Sequence, residues 1–279
     1  MSTSLPPDSF NEENDFRIGS YRVLRHVAQG GMGAVYRVED PKSGDHFAMK
    51  LAATSGIEDE RFSRIHQVLQ QFDHPGIVRS RAYGRTDDGR TYHLLDFVGG
   101  SPAQVFAKSM GIPGTTERTT AVITVAIHLA EALAYLHEHD VIHRDVKSAN
   151  VMVRDDRSAC LIDFGSAVMP GLPATPGHFV GTYTYASPEQ IQGRPVDGRT
   201  DIYAMGILLF RMLAGKRPFR ADDKRHLIEQ HLHEPPPALD HYVGGIPTTV
   251  VTLIQGMLQK RAEDRPQSAR EVSAILRKS

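Results

Sequence analysis

Two short stretches hold most of the residues able to do chemistry: His143-Arg144-Asp145-Val146-Lys147-Ser148-Ala149-Asn150 and, further along, Asp163-Phe164-Gly165. Moving a phosphoryl group takes a carboxylate to orient the attacking hydroxyl, hard oxygen ligands for magnesium, and a fixed cation beside the transferred charge. Asp145 meets the first need, Asn150 and Asp163 the second, and Lys147 the third. Either triplet alone is an ordinary polar turn; their order and separation together carry the signal.

Such groups need elements to aim them. Upstream, the chain reads as short strands at 21–27, 34–38 and 46–51, with Pro41-Lys42-Ser43-Gly44 as a hairpin turn. The turn Ala28-Gln29-Gly30-Gly31-Met32-Gly33-Ala34-Val35 carries more glycine than a hairpin requires, and backbone without Cβ lets N–H groups approach phosphate closely. By itself it is equally a flexible hairpin. Lys50 follows Phe47, Ala48 and Met49, apolar company in which an ammonium is costly unless an anion meets it. Residues 58–72 have helical spacing, with Phe62, Ile65, Leu69 and Phe72 on one stripe, and His74-Pro75 stops the helix. Strands at 77–82 and 91–97 flank the turn Asp87-Asp88-Gly89. Val122, Val125, Leu129, Leu133 and Leu136 then make one helical apolar face that leads to His143. A helix at 201–214 is apolar nearly all round and ends at Gly215; two more are expected at 248–258 and 268–276, the last with a Ser268/Glu271 capping box.

Composition narrows the field. The 279 residues suffice for one large domain or two small lobes, and 32 basic against 33 acidic side chains exclude a protein built to bind bulk nucleic acid or an anionic membrane. One cysteine, Cys160, sits in an apolar run; it allows no disulfide framework and suits a reducing, cytoplasmic setting. Fourteen histidines invite a metal reading, yet no cysteine partner and no His-Glu-x-x-His helix accompany them. Residues 1–15 are rich in Ser, Pro, Asn and acids and have no signal-peptide pattern, so a disordered tail over 1–20 is expected. The long apolar segments are interrupted by His128, Glu131 and Arg211, and no membrane span is expected.

Taken in order, these motifs resemble the eukaryotic-like (Hanks-type) protein kinases from about 21 to 276, and Gly30-Gly31-Met32-Gly33, Lys147 and Ser187-Pro188-Glu189-Gln190 are similar to the bacterial serine/threonine branch. The resemblance implies an α+β, bilobal protein-kinase fold over 21–277. A small antiparallel-sheet lobe with one helix would occupy 21–97 and a larger, mainly helical lobe 98–277. It implies ATP and Mg²⁺ as cofactors, Asp145 and Lys147 as catalytic residues, and Asn150 and Asp163 on the metal. ATP would lie against Val27, Ala28, Gln29, Gly30, Gly31, Met32, Gly33, Ala34, Val35, Ala48, Lys50, Asp96, Val98 and Met152. Lys50 would meet the α and β phosphates, 96–100 would be the hinge, and Leu95 would guard the pocket behind it. Ala28 stands where the family has its first loop glycine.

The same resemblance has Asp201 bracing the catalytic loop and Arg265 pairing with Glu189. The Gly-, Pro-, Ser- and Thr-rich segment between Asp163 and Glu189 would be an order/disorder switch, with Thr175 the candidate phosphosite and Arg144 the receiver of its charge. Thr182 would reach towards Asp145 and Lys147. The implied partners are protein substrates, the chain itself among them, and no nucleic acid.

One position departs from the pattern. Where the family's small-lobe helix carries the glutamate that pairs with the strand lysine, this chain has Ile65. Recruiting Glu60 or Glu58 instead would displace Phe62 and Leu69 from the apolar stripe. A pseudokinase, or a weakly active nucleotide-binding scaffold, is therefore the alternative reading. A small-molecule kinase is a third, disfavoured by Lys147 and by Ser187-Pro188-Glu189.

Overall fold

The computed structural model describes residues 16–30, 33–53, 59–172 and 181–279, and the chain divides into two compact units. One comprises residues up to Asp73 together with Val78–Val98; the other comprises His74–Ile77 and Gly99–Ser279. The expected α+β class and the two-part organisation hold.

The smaller unit is an antiparallel sheet of β1 (Arg17–Ile18), β2 (Tyr21–Gly30), β3 (Gly33–Glu39), β4 (His46–Ala52), α1 (Asp59–Leu69) alongside it, β5 (Ser80–Arg85) and β6 (Thr91–Asp96). Strand order is β1-β2-β3-β4-β6-β5. Alternation along β3 and β4 turns Tyr36, Val38, Met49 and Leu51 inward with Val23 and Leu94, which makes one core under the sheet. Helix α1 buries Phe62, Ile65, Val68 and Leu69, the stripe read from spacing, and two tight turns carry the chain on to buried Phe72. Burying Ile65 alone contributes roughly 1.5–3 kcal/mol.

Two boundaries differ from expectation. Order begins before residue 20: Arg17 and Ile18 pair with Arg22 and Tyr21, so the tail reading fails at its end, while 1–15 lie outside the described residues. The strand expected at 77–82 starts at Ser80, because Ile77 instead bridges Leu161 and the Gly76 carbonyl accepts from Leu161 N–H, which assigns His74–Ile77 to the larger unit. Short two-residue pairing and a segment that switches units leave no period-2 signature to read.

The larger unit contains a small sheet, β7 (Ser101–Pro102), β8 (Val151–Val153) and β9 (Ala159–Leu161), and helices α2 (Ala103–Ser109), α3 (Thr116–Glu138), α4 (Pro188–Ile191), α5 (Gly198–Ala214), α6 (Lys224–Leu232), α7 (Thr248–Met257) and α8 (Ala269–Leu276). Helix α3 is long and apolar enough to cross a membrane, yet its Val122, Val125, Leu129, Leu133 and Leu136 are buried in the protein against α5, α8 and β9. Helix α5 is buried nearly all round. Asp197 caps its start by accepting from Arg199 N–H, and Gly215 ends it in the left-handed conformation at φ 76°. At α8 the box is half formed: Ser268 accepts from Glu271 N–H, but the Glu271 carboxylate accepts from Gln267 N–H rather than from the cap residue.

Fully buried His231 on α6 bonds Tyr203 on α5 at 2.9 Å, and Lys260 donates to the carbonyls of Gln230 and His231. Burial pushes His231 down to about 3 and Lys260 down to about 8. Burial likewise lowers His66, His74 and His143. A histidine whose folded value lies below its unfolded value contributes stability above about pH 6.5 and loses it as pH falls, at up to about 1.4 kcal/mol per pH unit. The melting temperature should therefore drop as pH falls below 6.5, before the carboxylates titrate. His231→Gln should flatten that slope in a pH series of thermal melts; an unchanged slope would remove His231 from the cause.

Candidate catalytic site

The site begins with one carboxylate. Asp201, in the first turn of α5, is fully buried; its Oδ2 accepts from His143 N–H at 2.9 Å and its Oδ1 from Arg144 N–H at 2.8 Å. His137 at the end of α3 places Nε2 at 2.9 Å from the same Oδ2. Burial alone would raise this carboxyl, but the His137 bond and the N–H donors outweigh it and hold Asp201 below the ordinary carboxylate range. The anchoring supports an unusual backbone: Arg144 sits at φ 65°, a conformation that costs a non-glycine residue about 1–3 kcal/mol unless its surroundings hold it. Gln190 holds it too, donating Nε2–H to the Arg144 carbonyl at 2.9 Å.

Past Arg144 the functional side chains converge. Lys147 Nζ donates to Asp145 Oδ2 at 2.5 Å and to Thr182 Oγ1 at 3.0 Å, and the Thr182 hydroxyl lies 3.1 Å from Asp145 Oδ1. Asn150 turns its Nδ2 to the Asp145 carbonyl and to Oδ2, both at 2.9 Å. That leaves the amide oxygen of Asn150 for another partner. Gly181, next to Thr182, adopts φ 126°, and a Cβ there would come 3.1 Å from the Arg144 carbonyl, so glycine is needed for this close approach.

Asp163 accepts from Gly165 N–H at 2.9 Å through Oδ1. Phe164 is buried edge-on to the His143 ring, and Ile142 and Val168 exchange two backbone bonds, so the two chemical stretches are tied together. Among the described residues no three His, Cys, Asp or Glu side chains cluster as a metal cage. Asn150 and Asp163 are hard oxygen donors of the kind Mg²⁺ takes one or two at a time, its other positions going to water and phosphate.

Glu189 meets Arg265 in a two-pronged pair at 2.8 and 2.9 Å, with Thr200 donating to the same carboxylate at 2.7 Å. Burial raises Glu189, and the Arg265 bonds outweigh it, leaving the carboxyl below its ordinary value.

In the smaller unit the expected phosphate-contacting residues lie on neighbouring strands. Val27, Ala28, Gln29 and Gly30 end β2; Gly33, Ala34 and Val35 open β3; Gly31 and Met32 lie outside the described residues. Gly33, at φ 136°, admits no side chain, since a Cβ would stand 1.9 Å from the Leu51 carbonyl. Lys50 lies on β4 across from Val35 and His93. Asp96 ends β6 with its carboxylate on Arg81 and its N–H on the Arg79 carbonyl. Val98 follows it, Ala48 shares β4 with Lys50, and Met152 lies on β8 of the larger unit. Thr175 and Glu58 fall outside the described residues, and Glu60 is exposed. Ile65 is 3% exposed.

Several residues of the site went unread. The role of His137 carries no local signal, whereas the Ser187/Gln190 capping box has the Ser-x-x-Gln pattern that could have found it. No local signal marks the chain His66 Nδ1, Ser80 Oγ, His93 Nε2, linked at 2.7 Å each, which ties α1 to β5 and β6 beside Lys50's strand.

Comparison with known proteins agrees with this geometry. The family described as "Protein kinase domain" matches residues 21–275. The chain is 35% identical, over 98% of its length and 33% of the relative's, to the serine/threonine-protein kinase pkn2 of Myxococcus xanthus. It is 31% identical to the DNA damage-responsive serine/threonine-protein kinase RqkA of Deinococcus radiodurans, over 90% of this chain and 38% of that one. With the serine/threonine-protein kinase PknJ of Mycobacterium tuberculosis it shares 34% identity over 90% of this chain and 44% of the relative. The chain thus spans about a third to under a half of the length of these relatives.

Removing the Asp201 carboxylate leaves two buried N–H donors unmet. Asp201→Ala should cost about 3–5 kcal/mol in urea denaturation and Asp201→Asn less, since one acceptor survives. A loss under about 1 kcal/mol for the alanine variant would show that the loop is held by other means.

Proposed function

The chain belongs to the protein kinase family, in its bacterial serine/threonine branch, and on that premise we propose that it transfers the γ-phosphoryl group of ATP to serine and threonine hydroxyls of proteins. The observation that carries this reading is the Asp145, Lys147, Thr182 triangle. A threonine hydroxyl already rests against Asp145 Oδ1 with an ammonium beside both, the arrangement an acceptor hydroxyl needs.

When bound, Mg-ATP supplies the phosphoryl group and a metal that offsets the charge on its oxygens. The chain's own residues do the rest. Asp145 orients the acceptor hydroxyl and takes its proton; Lys147 holds positive charge beside the transferring group. Asn150 and Asp163 offer oxygens to the metal, and Lys50 meets the α and β phosphates. The glycine-lined end of β2 and β3 presents backbone N–H groups, the Asp96 carbonyl and the Val98 backbone hold the adenine edge, and Val27, Ala48 and Met152 supply apolar contact. Autophosphorylation in the segment around Thr175 is part of the proposal, as is a cytoplasmic setting where ATP is at hand.

The weaker-turnover reading has its own support in Ile65. A buried isoleucine docks α1 by packing, with the His66, Ser80, His93 chain adding neutral hydrogen bonds. Position 65 offers Lys50 no carboxylate, and turnover is slow for want of that contact. Losing one positioning contact costs on the order of 100-fold.

With radiolabelled ATP and a generic protein substrate, wild type should incorporate label slowly, Asp145→Asn and Lys50→Met should abolish it, and Ile65→Glu should raise kcat by up to about 100-fold. Mass spectrometry after incubation should find phosphate within 166–187. A wild type that neither labels protein nor shifts its melting temperature with Mg-ATP would establish the scaffold reading instead.

A further inference from the structure

The larger unit holds a second concave feature that the phosphoryl-transfer chemistry does not use. A cavity of about 390 Å³ opens where α5 ends and α6 begins, and its walls include Thr184, Arg211, Lys216, Arg217, Arg220 and Leu227. Four of the lining side chains are cationic and none is acidic. Several arginines elsewhere are paired: Arg81 with Asp96, Arg199 with Asp197, Arg265 with Glu189, Arg277 with Glu131. Here, among the described residues, none of the four cations has a carboxylate partner. Against a net charge of −1 for the whole chain, that is a local concentration of positive charge.

Two of the cations are held in place by neutral contacts. Half-buried Arg211 donates Nη1–H to the Tyr185 hydroxyl at 2.9 Å, and Lys216 rests 4.1 Å over the Tyr242 ring. Beside the cavity, Lys224 lies 4.1 Å over Tyr183. The two nearby acids, Asp222 and Asp223, are exposed, and Asp223 is spent capping α6 through His226 N–H. A guanidinium fork matches a carboxylate in two-pronged fashion.

Position says what that anion belongs to. Arg211 also lines a neighbouring cavity of about 230 Å³ with Lys147, Ser148 and Tyr185. Arg211 is thus a wall common to the basic cavity and to one bordered by the catalytic loop, and Tyr185 is joined to Thr182 by its N–H on the Thr182 carbonyl. A polypeptide whose hydroxyl lies at Asp145 would carry its nearby residues along this path.

We propose that the cavity lined by Arg211, Lys216, Arg217 and Arg220 binds aspartate or glutamate side chains of the protein substrate within a few residues of the phosphorylated hydroxyl, making the enzyme selective for acidic sequences. The proposal rests on the kinase reading and deepens it by naming the substrate class. Single exposed ion pairs contribute little, but four cations around one cavity, Arg211 and Arg217 half-buried, act together and weaken with salt.

The test uses matched peptides with one serine flanked by glutamate, glutamine or lysine. The glutamate peptide should exceed the glutamine peptide about tenfold in kcat/KM at low salt, with the advantage shrinking at high salt. In Arg217→Gln/Arg220→Gln the ratio of the two should fall towards one. Equal rates, or a preference for lysine, would overturn the proposal, and so would a peptide carrying phosphoserine that outpaces glutamate while glutamate matches glutamine. Should no peptide be labelled at all, the kinase reading fails by itself. Fluorescence anisotropy of the labelled glutamate peptide then judges the cavity alone, with salt-sensitive binding lost in the double variant supporting it and no binding overturning it.

Discussion

The buried carboxylate of Asp201 is the constraint from which the catalytic geometry follows. It accepts two consecutive backbone N–H groups and a histidine, and so fixes the direction in which the chain leaves α3. With that direction fixed, Arg144 can be kept in a left-handed conformation, and the next residues swing Asp145, Lys147 and Asn150 to one side. An ionised group with no solvent around it is expensive unless its lone pairs are filled, and here filling them is what orders the loop. The same helix carries Tyr203 to His231 and Thr200 to Glu189, so the rest of the larger unit is referenced to α5 as well.

The smaller unit solves a related problem without charge. Helix α1 has packing from Phe62, Ile65 and Leu69 and a run of neutral hydrogen bonds through Ser80 to His93. An ion pair would aim a cation as well as dock the helix; packing docks it only. Isoleucine at 65 thus separates two tasks that a glutamate would combine: it docks the helix and adds no carboxylate for Lys50.

Much of this is legible in the sequence. Residues whose chemistry demands neighbours at short range in sequence, such as Asp145, Lys147 and Asn150, announce themselves by spacing, and the stripes of α1 and α3 follow from helical period. The Glu189 and Arg265 pair was readable only through resemblance, since nothing local links them. What stayed hidden was satisfaction of buried polar groups across the fold: His137 on Asp201, Gln190 on the Arg144 carbonyl, Ser80 joining two histidines. Such partners are chosen by tertiary proximity, and their residue types are unremarkable where they stand. Strand β1 was hidden for another reason, since two residues cannot show alternation. The basic cavity was hidden because Arg211 and Lys216–Arg220 read as scattered surface charge until α5 and α6 bring them around one space.

The Glu189 and Arg265 pair also bears on how the molecule is made. The two residues stand 76 positions apart, and the Arg265 side chain is wholly enclosed when they meet. At a ribosome adding about 5–20 residues per second, the earlier partner emerges roughly 4–15 s before the later one. Through that interval the turn carrying Glu189, and the Gln190 amide beside it that steadies Arg144, lack their anchor. Helix α8, which closes over α3 through Arg270 on Glu138 and Arg277 on Glu131, arrives later still. The nascent larger unit therefore waits, with α3 and α5 exposing apolar surface, until nearly its last residues are synthesised, and it is in that window that a chaperone has something to hold.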